Sequence, residues 1–118
     1  MLLYRLGASD FLPGGLTEAD GQQAARALVA AGVEMLDITG GMCDSEPPGW
    51  DGKSQGYFVP MAAGIKAAVS VPVIGVGGIT DPMYADQVIR SGQVDLVAVG
   101  RAMLKNAEWA REAQVALR

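Results

Sequence analysis

Twice in this sequence a short, nearly unbroken apolar run ends in glycine just where a helical pattern begins. The first is Val71-Pro-Val-Ile-Gly-Val-Gly-Gly-Ile-Thr-Asp-Pro82 and the second is Leu96-Val-Ala-Val-Gly-Arg101. An apolar run without polar alternation suits a parallel strand covered on both faces. Glycine at its C-terminal end lets the backbone approach a ligand, and the helix start that follows offers free N–H groups to an anion. Gly77, Gly78, Gly100 and Arg101 are therefore candidate phosphate ligands on two neighbouring strand ends, with Arg101 able to add a charge-assisted contact. The same pattern also fits any α/β protein, with Arg101 as a solvated residue of a first helical turn. A dinucleotide fingerprint is excluded. Thr80 stands where the third glycine of G-x-G-x-x-G belongs, and Asp95 precedes the next strand instead of ending it.

The rest of the chain repeats this grammar. Met1–Ala8 reads as a strand carrying one charge, Arg5, with Leu3 and Arg5 on one face and Tyr4 and Leu6 on the other. Arg5 either faces a polar site or lies on an edge strand facing water. Thr17 caps an alanine-rich helix that stops at Gly32. Val33–Thr39 is a second strand with Asp37 and Thr39 on one face. A long loop, 40–55, carries Met42 and Trp50, and Tyr57 follows it; these three either cover a planar ligand or simply anchor the loop. Helices are expected over 60–69 and from Asp81-Pro82 to Ser91-Gly92, strands over 71–76 and 94–99, and a last helical region over 101–117, broken near Asn106.

Four strands, each followed by a helix, imply an α/β protein with a parallel sheet and right-handed crossovers. Residues 1–118 read as one (βα)4 unit, half of an eightfold TIM barrel, because Arg5, Thr39, Gly77, Gly78, Gly100 and Arg101 then open onto one mouth. A flavodoxin-like open sheet is the alternative. With 118 residues, half of them hydrophobic, a sizeable core is available. The net charge of −4 and the lack of a Lys/Arg cluster argue against nucleic acid as the main partner. A single cysteine, Cys43, fits a reducing compartment, and no apolar run reaches membrane-spanning length, so the cytoplasm is expected. With no histidine, Ser-His-Asp and Cys-His catalysis and histidine metal sites are unavailable, and no metal is expected.

The ordered set Arg5-Leu-Gly-Ala-Ser, Gly32-Val-Glu-Met-Leu-Asp-Ile-Thr-Gly-Gly41, Pro72-Val-Ile-Gly-Val-Gly-Gly-Ile79 and Asp95-Leu-Val-Ala-Val-Gly-Arg101 resembles the old yellow enzyme family of flavin oxidoreductases. Gly56-Tyr57 and Asn106-Ala-Glu-Trp109 extend the match, although Ala107 stands where the family's motif usually has proline. The resemblance implies an FMN cofactor at the mouth of a βα barrel and NAD(P)H as the electron donor. It implies Arg5 at the N1/C2 edge of the flavin, and Gly77, Gly78, Gly100 and Arg101 at its phosphate. Thr39 and Gly40 would flank the cofactor. It further implies that this chain corresponds to the fifth to eighth units of the barrel, so the family's substrate-anchoring and proton-donating residues are not among these 118. No catalytic residue is therefore expected here, and the chain by itself is expected to be inactive. Two other readings stand beside this one: a non-catalytic phosphate-binding or assembly module, and part of a non-redox isomerase or lyase barrel. Two bare sheet edges lead us to expect a homodimer or larger assembly.

Overall fold

A computed structural model describes residues 1–118. The elements run β1 (Leu3–Gly7), α1 (Glu18–Ala30), β2 (Met35–Thr39), α2 (Val59–Ala68), β3 (Val73–Gly75), α3 (Pro82–Arg90), β4 (Leu96–Val97), α4 (Arg101–Lys105) and α5 (Trp109–Ala116). All strand pairs are parallel and the sheet order is β1-β2-β3-β4. A flavodoxin-like sheet would place β1 inside the order, so that alternative falls. In sequential order, right-handed crossovers put every helix on the same face of the sheet. The chain is four βα units in the arrangement of half a barrel.

Burial follows from that one-sided cover. Leu36, Ile38 and Val73 point toward the helices and are fully buried, packing with Val59, Ala62, Ile65, Ala85 and Val88. The alternate residues face the side that bears no helix. There Leu3 is 47% exposed and Leu96 is 42% exposed, although both are strand leucines. Close approach of α1 to the sheet depends on Gly21, where a Cβ would collide with the backbone of Ala8.

The helix boundaries have local causes. Thr17 and Asp20 form a reciprocal capping box at the start of α1. At its end Gly32 adopts φ +109°, Gly32 N–H donates to Val29 O and Val33 N–H to Leu28 O, which is a Schellman closure. The same device ends α3, with Gly92 at φ +77° and Gln93 N–H donating to Val88 O. Pro82 occupies the first turn of α3 behind the cap Asp81, and Asn106 separates α4 from α5.

The strands are shorter than their apolar runs. β3 covers three residues of the run 71–76, and β4 two of the run 94–99. Val94 is fully buried yet outside the ladder, packed against the backbone of Gly75. Hydropathy marks burial, and burial extends past the paired backbone. No helix is long and apolar enough to cross a membrane.

Candidate functional site

At the C-terminal ends of the strands lies a cavity of about 590 Å³. Arg5 comes from β1, Thr39 from the end of β2, Gly77 and Gly78 from the turn after β3, and Gly100 and Arg101 from the turn after β4; all six line it. Lys53 and Lys105 also line it, while no carboxylate does. A chain of net charge −4 thus places four of its nine Lys and Arg residues around one cavity. Arg5 and Arg101 are each paired with a carboxylate outside the lining, so Lys53 and Lys105 supply the cationic charge that favours an anion there.

The backbone supplies the rest of that preference. Gly77 and Gly78 have φ of +122° and +63°, which turns the chain out of the sheet. The N–H groups of Gly77, Gly78, Ile79 and Gly100 donate to no protein acceptor. The helix start behind the turn, expected from sequence to be the anion donor, instead has most of its leading N–H groups paired within the chain. Gln55 Oε1 accepts from Thr80 N at 2.7 Å and from Asp81 N at 2.8 Å, and Asp81 Oδ1 accepts from Met83 N at 2.9 Å. The free donors lie in the turn, one step before the helix.

Arg5 sits on the uncovered sheet face in register with Asp37, and its Nε lies 3.7 Å from Asp37 Oδ2. It is mostly exposed and paired, so the polar-site and edge-strand readings both describe it in part. Burial pushes the Asp37 carboxyl above its usual range, with Arg5 opposing the shift, and Asp37 Oδ1 is buried without a partner. Gly40 is not part of the lining. Its α-carbon is wedged where a Cβ would strike the Cys43 sulfur and the Phe58 ring, so Gly40 serves close packing of the loop.

Of the three loop side chains, Trp50 and Tyr57 line the cavity, whereas Met42 is 76% exposed and lies outside it. Tyr57 packs across Gly77 and Gly78 and meets Trp50 edge-on, with ring centroids 5.0 Å apart. A tight turn braces Trp50. Asp51 accepts from Lys53 N, Ser54 N and Ser54 Oγ, and Trp50 Nε1 donates to Ser54 O at 2.8 Å. Arg101 donates from Nη1 to Glu46 Oε1 at 2.8 Å and from Nη2 to Tyr57 Oη at 2.6 Å. Glu46, and then Tyr57, hold its pKa above the usual arginine value.

The roles of Glu46, Gln55, Lys53 and Lys105 were not read from the sequence. Glu46 and Gln55 act through contacts distant in the chain, the two lysines are brought to the cavity by the fold, and none of the four belongs to a recognisable motif. Buried Asp10 escaped notice likewise; it accepts from Leu16 N at 2.8 Å and Met42 N at 2.9 Å, joining the loops after β1 and β2. No group of His, Cys, Asp or Glu side chains is disposed to hold a metal ion.

Comparison with known proteins adds the chemistry of relatives. The chain is 38% identical over 113 residues to an NADH oxidase of Thermoanaerobacter brockii, covering 94% of this chain and 17% of that protein. It is 34% identical over 113 residues to an NADPH dehydrogenase of Listeria innocua, covering 95% of this chain and 32% of the relative. A metal reductase of Desulforamulus reducens is 29% identical over 113 residues, with 95% and 17% covered. The chain therefore spans between about a sixth and a third of the length of these relatives. Residues 1–118 match the model of the NADH:flavin oxidoreductase / NADH oxidase family end to end, and the chain belongs to that family.

Proposed function

We propose that residues 1–118 form one (βα)4 unit that binds FMN as part of an NAD(P)H-dependent flavin oxidoreductase of the ene-reductase type. The observation that carries this reading is the convergence of unpartnered N–H groups and cations, with no carboxylate, in a single cavity at the strand ends. The residues fit the group. Gly100 faces open space where a side chain would otherwise stand, and the turn at 77–79 offers three consecutive free donors. The backbone at Gly77, Gly78 and Gly100, together with Arg101, would hold the phosphate. Thr39 and Tyr57 would bound the cavity beside it, and Gly40 would contribute only by keeping the loop close.

Bound FMN would supply hydride-transfer chemistry between a reduced nicotinamide and an acceptor. This chain's share is binding, orientation and electrostatics. Arg5 would stabilise negative charge at the pyrimidine edge of the ring, and Asp37 keeps its guanidinium on the inner face. The family resemblance puts the substrate-anchoring and proton-donating residues outside these 118, so the isolated chain is expected not to reduce an alkene. The names of the relatives, NADH oxidase and NADPH dehydrogenase, support a nicotinamide as the donor.

Titration with FMN and with riboflavin tests the reading, because only FMN carries the phosphate. FMN is expected to bind more tightly. Arg101→Ala should weaken FMN about tenfold or more while leaving riboflavin nearly unchanged, given the strength of charge-assisted hydrogen bonds. Equal affinities for the two flavins, or binding of inorganic phosphate without either flavin, would sink the assignment and favour a non-redox phosphate site.

A further inference from the structure

The Arg101 guanidinium already has an anion. Its ion pair with Glu46 and its hydrogen bond to Tyr57 both reach into the segment that joins β2 to α2. Glu46 is the only carboxylate within ion-pair distance of Arg101, and it touches the cavity's cation from outside the lining. Glu46, Arg101 and the Tyr57 hydroxyl form one hydrogen-bonded chain, and the Tyr57 ring packs over the turn at Gly77 and Gly78.

We propose that Glu46 is an internal anion that competes with a ligand's phosphate for Arg101, and so sets how strongly the cavity discriminates a phosphorylated ligand from a neutral one. This rests on reading the cavity as the cofactor-phosphate site. A carboxylate brings one charge, and Glu46 accepts one hydrogen bond from Arg101. A phosphate monoester brings nearly two charges and three strong acceptor oxygens. It would also meet the free N–H groups of Gly77, Gly78 and Gly100, which Glu46 does not engage. The Arg101 side chain is 57% exposed and that of Glu46 29%, so the pair is wet and weak enough to be displaced. A dianionic ligand therefore displaces Glu46, and a neutral ligand leaves the pair closed.

Calorimetric titration of FMN, inorganic phosphate and riboflavin into the wild-type chain and Glu46→Gln tests the competition. Gln keeps the size and the acceptor and removes the charge. Glu46→Gln is expected to bind FMN and phosphate about two- to fivefold more tightly, the worth of an exposed ion pair, with riboflavin unchanged. Glu46→Ala should give the same result, and urea unfolding checks that both variants are folded. Unchanged or weaker FMN binding by the variants, with FMN still bound by the wild type, would show that Glu46 orients Arg101 and would overturn the competition alone. An equal gain for riboflavin would also overturn it, because the effect would then come from loop opening and not from charge. Failure of every protein to take FMN or phosphate would bring down the cofactor-site reading and the competition with it.

Discussion

Asp51 shows how one carboxylate braces the cavity's loop. Hydrogen bonding from the Ser54 hydroxyl, then from the Ser54 and Lys53 N–H groups, holds its pKa at about 2, below the usual carboxylate value of 3.8. Because the folded value is depressed, the stabilisation is complete above pH 3.8 and is lost as pH falls through about 2. Trp50 reports on this turn through its hydrogen bond to Ser54 O. In a Trp109→Phe background, Trp50 emission is expected to shift as pH falls through that window. Asp51→Asn should lose the shift and show the altered emission already at neutral pH. An unaltered acid transition in Asp51→Asn would mean that other carboxylates govern the loop. Arg5 shows what could be read of a single residue. Strand period puts it on the same face as Leu3, but which way that face points, and the pairing with Asp37, depend on how strands and helices assemble, which no local pattern states.

At the scale of elements, what is local was legible and what is distant was not. Thr17, Asp20, Gly32, Asp81-Pro82 and Gly92 mark helix ends because capping acts within a few residues, and each stands where the sequence places it. The strand ends were overextended because apolar residues such as Val71, Val94 and Val99 continue into the core beyond the ladder. The N-terminus of α3 depends on Gln55, 25 residues upstream, whose amide oxygen accepts from two backbone N–H groups and the Thr80 hydroxyl. Gln55→Ala should therefore destabilise the chain by about 1–2 kcal/mol, the cost of losing a helix cap. Gln55→Glu, which keeps the acceptor, should cost less. Urea midpoints measure both, and a midpoint for Gln55→Ala equal to wild type would show that water replaces the amide.

Residues 1–118 form a sheet with helices on one face and almost nothing on the other. Sequential order makes β1 and β4 both edges, and an edge strand offers unpaired N–H and C=O groups to another chain. The uncovered face adds exposed Leu3 and Leu96, a surface that association would bury. A two-fold axis along the barrel direction would set β1 of one copy beside β4 of the other, parallel at both seams, and close eight strands around the two inner faces. Closure removes both edges at once, whereas an open stack of copies always leaves two. We therefore expect a homodimer at micromolar concentration, carrying two copies of the strand-end cavity at one mouth. Leu96→Glu tests the geometry because Leu96 pairs in register with Ile74 on the inner face, while the buried residues of that region, Val73 and Val94, are untouched. Light scattering should give twice the chain mass for wild type and the single mass for Leu96→Glu, with circular dichroism unchanged. A wild-type monomer that unfolds cooperatively would show that one layer of helices suffices to hold the sheet open in water, and the closed dimer would be wrong.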